Sequence, residues 1–232
     1  MDQHDEVRGA NVRMGEYVVI EPDVVIGNNV TIGHHVVIRS GTVIGHGVTI
    51  GDMSVLGKAP STNRKMALKP ANDLPPLVVG DHVKIGSGAV IYRGVTLGED
   101  VLVGDLASIR ERVAVGTSSI VGRSAVIEPK TTIGSRVTIQ TGCYITSDMI
   151  VEDDVFIGPR CSTSNDKYMG RGNYAHQGPT IRRGARIGNN ATLLPGITIG
   201  ASAIVGAGAV ITRDVPDGQT FVGNPGRLLQ RT

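Results

Sequence analysis

Val79-Gly80-Asp81-His82-Val83-Lys84-Ile85-Gly86-Ser87-Gly88-Ala89-Val90-Ile91-Tyr92-Arg93-Gly94-Val95-Thr96-Leu97-Gly98 opens the stretch that decides the fold. Steps of six from Val79 reach Ile85, Ile91, Leu97, Val103, Ile109, Val115, Val121, Ile127, Ile133, Ile139, Ile145, Val151, Ile157 and Thr163, and all but the last are aliphatic. A helix repeats every ~3.6 residues and a simple strand every ~2, so neither holds this phase. Four residues after each of these stand Val83, Ala89, Val95, Val101, Ala107, Val113, Ser119, Ala125, Thr131, Val137, Cys143, Met149, Val155 and Cys161, all small or β-branched except Met149. A large aliphatic and a small filler therefore share one side of each hexad, as a narrow prism requires. The period predicts an all-β solenoid with a triangular section, three short strands and three corners per coil.

Outward from that stretch, Met14, Ile20, Ile26, Ile32, Ile38, Ile44, Ile50 and Leu56 keep the same step, and Ile181, Ile187, Leu193, Ile199, Val205 and Ile211 resume it. Two interruptions are predicted as loops, at about 58–77 and 165–179. The first holds Pro60, Pro70, Pro75 and Pro76 and has no periodicity. About nine complete coils and a partial first one give a prism roughly 45 Å long at about 4.8 Å per coil. One domain, 1–232, is expected, with a short closing segment at 212–232 over the last strand edges.

Glycine follows two of every three periodic aliphatics, where the chain turns a corner; the third corner carries Tyr92, Arg110, Glu128, Thr146 and Ser164 instead. One edge of the prism is thus lined with side chains, and both loops leave from it. Columns repeat every eighteen residues, so Arg110 neighbours Glu128, and Glu111 shares a column with Pro129, Ser147 and Asn165. Asp105, Ser108, Arg110, Glu111, Glu128, Gln140 and Asn165 fall within a few coils of one another and form the candidate polar site.

Trp is absent and only two Phe and five Tyr occur, which suits a prism too thin for bulky rings. A formal charge of +2 is too small to imply a nucleic-acid surface. No apolar run reaches membrane length, and the start, Met1 to Gly9, is polar, so a cytoplasmic protein with no membrane partner is expected. Cys143 and Cys161 share an inward column on adjacent coils; a disulfide is geometrically open to them, but buried thiols are expected in the cytosol. His34, His35, His46 and His82 fall at mismatched phases, so no metal site is expected.

The repeat resembles that of the left-handed parallel β-helix acyltransferases, and the handedness is implied by that resemblance alone. Within the class, Glu152-Asp153-Asp154-Val155-Phe156-Ile157-Gly158-Pro159, Thr163-Ser164-Asn165-Asp166-Lys167-Tyr168-Met169-Gly170-Arg171 and Gly178-Pro179-Thr180-Ile181-Arg182-Arg183-Gly184-Ala185 resemble the nucleotide-sugar N-acyltransferases. The resemblance implies a homotrimer that uses acetyl-CoA or another acyl-CoA and takes a dTDP- or UDP-linked amino sugar. It puts Asn165 or Asp166 on the acceptor amine, with a carboxylate such as Asp105 or Glu128 orienting it, and Ser108, Arg110, Glu111, Gln140, Tyr168 and His176 around the substrate. Pantetheine would lie against Ala191, Gly206, Ala207 and Ala209, and CoA phosphates would meet Arg182, Arg183, Arg213 and Arg227; Arg64, Lys65 and Lys69 would meet a nucleotide diphosphate. Two rivals stand beside this expectation: a sugar O-acetyltransferase with His176 as base, and a non-catalytic β-helical scaffold.

Overall fold

The computed structural model describes residues 7–66, 69–71, 73–171 and 175–229. Residues 1–6 of the polar start and 230–232 of the closing segment lie outside them. Eighteen residues carry the chain once round a triangle, and each strand pairs in parallel with the strand one coil away. Leu102–Val103, for example, lies between Lys84–Ile85 and Ile120–Val121, with Val103 level with Ile85 and Val121. Three sheets result. The first runs in ten strands from Val7–Arg8 to Thr198–Ile199, the second in twelve from Arg13–Met14 to Arg227–Leu228, and the third in ten from Val19–Ile20 to Val210–Ile211.

The fold is the parallel β-helix that the hexads predict, with one difference at the start. A complete first coil begins at Val7–Arg8, paired with Val25–Ile26, where the period reads only from Met14. Arg8 holds the phase at which an aliphatic is expected, so the pattern there is silent although the backbone continues the stack.

Both predicted columns point inward. Ile85, Ile91, Leu97, Val103 and Ile109 are buried, and so are the fillers Val83, Ala89, Val95, Val101 and Ala107. The few buried hydroxyls bond to backbone, as Thr131 Oγ1 donates to the Thr146 carbonyl at 2.9 Å. Cys143 and Cys161 are free, buried thiols. Each donates to a carbonyl, at 3.1 Å to Gly158 and 3.0 Å to Gly188. The neighbouring Cys143 and burial together push the Cys161 thiol well above its ordinary range.

The corner glycines have a reason other than the turn itself. The left-handed residue of these corners comes two places later and is commonly not glycine, as at Leu106 (φ 58°), Ser118 (φ 53°) and Ser124 (φ 55°). What excludes a side chain at the glycine is the next coil. A Cβ on Gly122 would stand 2.6 Å from the Gln140 carbonyl carbon and 2.8 Å from the Ile139 oxygen. On two of the edges a polar side chain bonds back to the coil before it: Asp105 Oδ1 accepts from the Ser87 N–H at 2.9 Å, and Asp153 Oδ1 from the Ser135 N–H at 2.9 Å.

The closing segment covers the last coil. Val215 bridges to Ile199, Thr220–Val222 pairs in parallel with Ile204–Val205, and Arg227–Leu228 returns antiparallel to it. Both loops leave third-sheet strands, Val55–Lys58 and Ser162–Thr163, and re-enter the first sheet at Val78–Val79 and Thr180–Ile181. The coils close up behind them, with Val90–Tyr92 paired to Val55–Lys58 and Thr192–Leu193 paired to Ser162–Thr163.

Substituting Gly122→Ala should destabilise the prism by about 1–3 kcal/mol, because the new methyl meets backbone that cannot move aside. Thr141→Ala, which keeps the backbone at that contact and changes only an exposed side chain, should stay within about 0.5 kcal/mol. Denaturant unfolding of the two variants beside wild type measures the difference.

Candidate functional site

The edge between the third and first sheets is the one without a glycine column. After successive third-sheet strands come three-residue corners: Arg110, Glu111 and Arg112 on one coil, Glu128, Pro129 and Lys130 on the next, then Thr146, Ser147 and Asp148. The first loop folds back along this edge rather than leaving it. Arg93 holds it there, with Nη1 donating to the Ser40 carbonyl at 3.1 Å and Nε and Nη2 both donating to the Leu74 carbonyl at 3.4 Å. The Gly94 N–H donates to the Pro75 carbonyl at 2.8 Å. Leu74 and Leu77 are buried beneath. A cleft of ≈ 310 Å³ is left between Met66, Lys69, Pro70 and Ala71 on the loop and Arg110, Glu111, Arg112, Glu128, Pro129, Lys130, Ser147 and Asp148 on the edge.

Its floor is an ion triad. Glu111 is 4% exposed and receives two bonds from Arg110, Nε to Oε2 at 2.9 Å and Nη2 to Oε1 at 3.2 Å. The same guanidinium lies 3.7 Å from Glu128 Oε2 and packs 4.9 Å above the Tyr92 ring. Glu128 has no bidentate partner of its own. Its burial raises its pKa; Arg110 opposes this, and the Glu111 charge adds to it. Burial also raises the Tyr144 phenol, with Glu128 contributing. Burial thus favours protonation of Glu128 more than that of an exposed carboxylate, the direction a proton-exchanging group needs.

The second loop starts one coil beyond the cleft, where Asn165 and Asp166 continue the columns of Ser147 and Asp148. The Asn165 carbonyl accepts from the Gln177 N–H at 3.1 Å, which ties the two ends of the loop together. Asp166 organises the loop's own backbone, with Oδ1 accepting from the Tyr168 N–H at 2.9 Å and Oδ2 from the Gly170 N–H at 2.6 Å. His176 Nε2 stands 4.0 Å from Asp166 Oδ2. Tyr168 is half exposed, with Lys167 Nζ 5.9 Å from its ring centroid.

Other expected site residues are not brought here. Asp105 and Gln140 follow second-sheet strands, so they lie on the edge between the second and third sheets. The expectation that they sit with Arg110 and Glu128 is corrected: few coils separate them, but a prism face does. Ser108 lies on that face, pointing outward from Ser108–Ile109. Ala191 and Ala209 are core fillers with 0% exposure, so their side chains are closed to pantetheine, and that expectation is also corrected. Gly206 and Ala207 are on the same edge as Asp105, where Gly206 packs against Val222. Arg182 and Arg183 are exposed on the remaining edge, where Arg183 Nη2 approaches Asp153 Oδ2 at 3.9 Å and its N–H donates to Glu152 at 2.8 Å. Arg213 lies 5.7 Å from the Phe221 ring, and Arg227 bonds the Gly226 carbonyl at 2.9 Å. The expected CoA cations are therefore divided between an edge of the prism, with Arg182 and Arg183, and the closing segment, with Arg213 and Arg227.

Of the first-loop cations, Lys69 lines the cleft and Arg64 and Lys65 do not. Arg112, Lys130 and Asp148 went unnoticed in sequence, although eighteen-residue arithmetic on the third residue of the glycine-free corner would have found them. Met66, Pro70 and Ala71 carry no such signal.

A parallel solenoid of six-residue rungs with a polar, loop-covered edge is the architecture of a hexapeptide-repeat protein. Residues 9–40, 23–58, 76–111 and 178–213 match the family described as bacterial transferase hexapeptide (six repeats). Together these cover more than half of the chain, which belongs to that family. Among curated relatives, the dTDP-3-amino-3,6-dideoxy-alpha-D-galactopyranose 3-N-acetyltransferase of Aneurinibacillus thermoaerophilus is 48% identical over 48 residues, 21% of this chain and 25% of that protein. Serine acetyltransferase of Bacillus subtilis is 36% identical over 83 residues, 32% of this chain and 38% of that protein. The matched stretches thus span a quarter to two fifths of these relatives. The LpxA structure from Acinetobacter baumannii matches 99% of this chain and 70% of its own at a TM-score of 0.53 and 19% identity, a likeness of fold.

Replacing Glu111 by alanine should leave the Arg110 guanidinium short of its two bonds and cost about 1–3 kcal/mol. Glu111→Gln, which keeps one acceptor, should cost less. Thermal unfolding of both variants checks the order.

Proposed function

We propose that the chain is an acyl-CoA-dependent N-acyltransferase that acylates, most simply acetylates, the amine of a nucleotide-linked amino-deoxy sugar. It acts as a cytoplasmic homotrimer. The observation that carries this reading is the carboxylate-floored cleft beneath the first loop, one coil from the Asn165–Asp166 loop, in a chain of the transferase hexapeptide family. Similarity to a dTDP-amino-sugar N-acetyltransferase supports the acceptor class. The 36% match to a serine acetyltransferase supports acyl transfer without deciding between nitrogen and oxygen.

An amino sugar enters as its ammonium form, which a carboxylate attracts and an uncharged wall does not. Glu128, ionised, takes one proton from it and leaves the neutral amine. The nitrogen lone pair then forms the C–N bond at the thioester carbon, the C–S bond breaks, and the departing thiolate takes the second nitrogen proton. One amide, one thiol and one protonated Glu128 result, so charge and atoms balance. Arg110 and Glu111 keep the Glu128 carboxylate in place, and Asn165 holds the acceptor from the neighbouring coil. Because Asp166 has both oxygens on loop N–H groups, its part is to shape the loop rather than to take the proton.

A second reading rests on one contact, His176 facing Asp166 at 4.0 Å. A carboxylate-oriented imidazole is the base an O-acetyltransferase needs, since a hydroxyl does not attack unaided.

Free CoA release from acetyl-CoA with dTDP-, UDP- and GDP-linked amino sugars, and with their hydroxy counterparts, is the direct test. Glu128→Gln should lower kcat about a hundredfold or more, in the range of general-base catalysis. The acid limb of wild-type kcat/KM should lie above the ordinary carboxylate range of about 4.3, the direction that burial imposes on Glu128, and should disappear in Glu128→Gln. Activity that survives Glu128→Gln but is lost in His176→Ala would transfer the chemistry to the second loop. A chain that neither binds acetyl-CoA nor releases CoA would be a scaffold.

The raised Glu128 pKa has a stability counterpart. Protonated Glu128 is favoured by the fold, so its contribution is full below the unfolded pKa and is lost as pH rises through the folded one. The melting temperature of wild type relative to Glu128→Gln should therefore fall as the pH rises from the ordinary carboxylate value of about 4.3 through the raised folded one.

A further inference from the structure

The cleft is lined by more cations than its carboxylates use. Arg110 is committed to Glu111 and reaches Glu128 at 3.7 Å. Lys130 Nζ stands 4.0 Å from Asp148 Oδ1. Lys69 on the loop side and Arg112 on the edge side line the same cleft, and neither has a carboxylate within ion-pair distance among the described residues. They face the cavity from opposite walls, one from a strapped-down loop and one from a rigid corner. Arg110 offsets Glu111, and Lys69 and Arg112 bring the whole lining to four cations (Lys69, Arg110, Arg112, Lys130) against three carboxylates (Glu111, Glu128, Asp148), so an incoming anion meets a cleft of net positive charge.

We propose that Arg112 and Lys69 form an anion seat that grips the diphosphate of the acceptor, while Glu128 at the other side of the cleft receives its amine. This rests on the transferase reading and adds to it a division of labour: one wall reads phosphate, the floor reads ammonium. A nucleoside diphosphate amino sugar carries both charges on one molecule, and the cleft offers one of each. At ≈ 310 Å³ it has room for a diphosphate and a sugar, and the base would extend past the loop rim. Arginine is suited to the phosphate, since its planar fork makes paired bonds, and Lys69 adds a point charge.

The test is calorimetric titration of the whole chain with pyrophosphate, dTDP, UDP and GDP, and separately with acetyl-CoA. The double variant Arg112→Gln/Lys69→Gln should bind the anions about tenfold or more weakly, as expected for the loss of charge-assisted bonds. The control Lys84→Gln, on the outer face of the second sheet, should bind as wild type. Tighter binding of a nucleoside diphosphate than of pyrophosphate identifies a nucleotide as the occupant; equal binding identifies the phosphates alone, and either supports the seat. Unchanged anion affinity in the double variant overturns it, as does the absence of anion binding by wild type. Since CoA also carries a diphosphate, loss of acetyl-CoA affinity in the double variant, with pyrophosphate competing, would overturn the assignment to the acceptor. Binding of acetyl-CoA with no anion binding removes the seat and leaves the transferase reading. Anion binding through Arg112 and Lys69 without acetyl-CoA binding keeps the seat and removes that reading.

Discussion

Everything in this molecule depends on stacking one coil directly on the next. Strand N–H groups of one coil donate to carbonyls of the coil above it, as Val78 N–H to Val95 and Lys84 N–H to Val101, at 3.0 and 2.9 Å. Strand spacing of about 4.8 Å leaves no freedom to separate coils at the corners. Two edges meet that limit with glycine or with a short side chain that bonds the neighbouring backbone, as Asp105 does for Ser87. Inside, the same limit admits one large aliphatic and one small filler per rung. On the third edge the glycine column is replaced by side chains on coil after coil, as Tyr92, Arg110, Glu128 and Thr146, so polar groups accumulate there.

That geometry explains how a repetitive scaffold acquires a specific site. A solenoid repeats its columns, so two neighbouring coils bring identical corner positions together without any long-range design. Arg110 above Glu128, and Arg112 above Lys130, are consequences of spacing by eighteen. The loops then break the symmetry. Arg93, itself a corner residue, straps the first loop along the edge through Ser40 and Leu74, turning an open ladder of charges into a cleft with a buried carboxylate. On a bare edge the Arg110–Glu111 pair would be a solvated ion pair of little worth; beneath the loop the burial that costs Glu111 its water is met by two bonds.

The period made the fold legible because a packed prism interior leaves little choice: inward positions are almost all aliphatic or small, and the departures Arg8 and Met149 lie at the first coil and just before the second loop. The loops were legible as phase breaks, and their shared origin as the edge without glycine. The site was legible only in part. Arg110, Glu111 and Glu128 are readable from columns, whereas Asp105 and Gln140 are near them along the axis but a prism face away, which spacing along the axis does not reveal. Ala191 and Ala209 illustrate the same confusion of sequence motif with surface, since the inward column closes them off.

The sequence by itself determined the triangular coil, its register, its two loops and the one edge open to side chains, because these follow from a local period that every hexad repeats. The tertiary structure alone decided that the first loop lies down on that edge, that Lys69 rather than Arg64 or Lys65 faces the cleft, that Asp166 serves its own loop, and that Glu111 is buried while Glu128 is not. Those outcomes depend on contacts between segments with no common period, such as Arg93 with Leu74, where no spacing rule connects the partners.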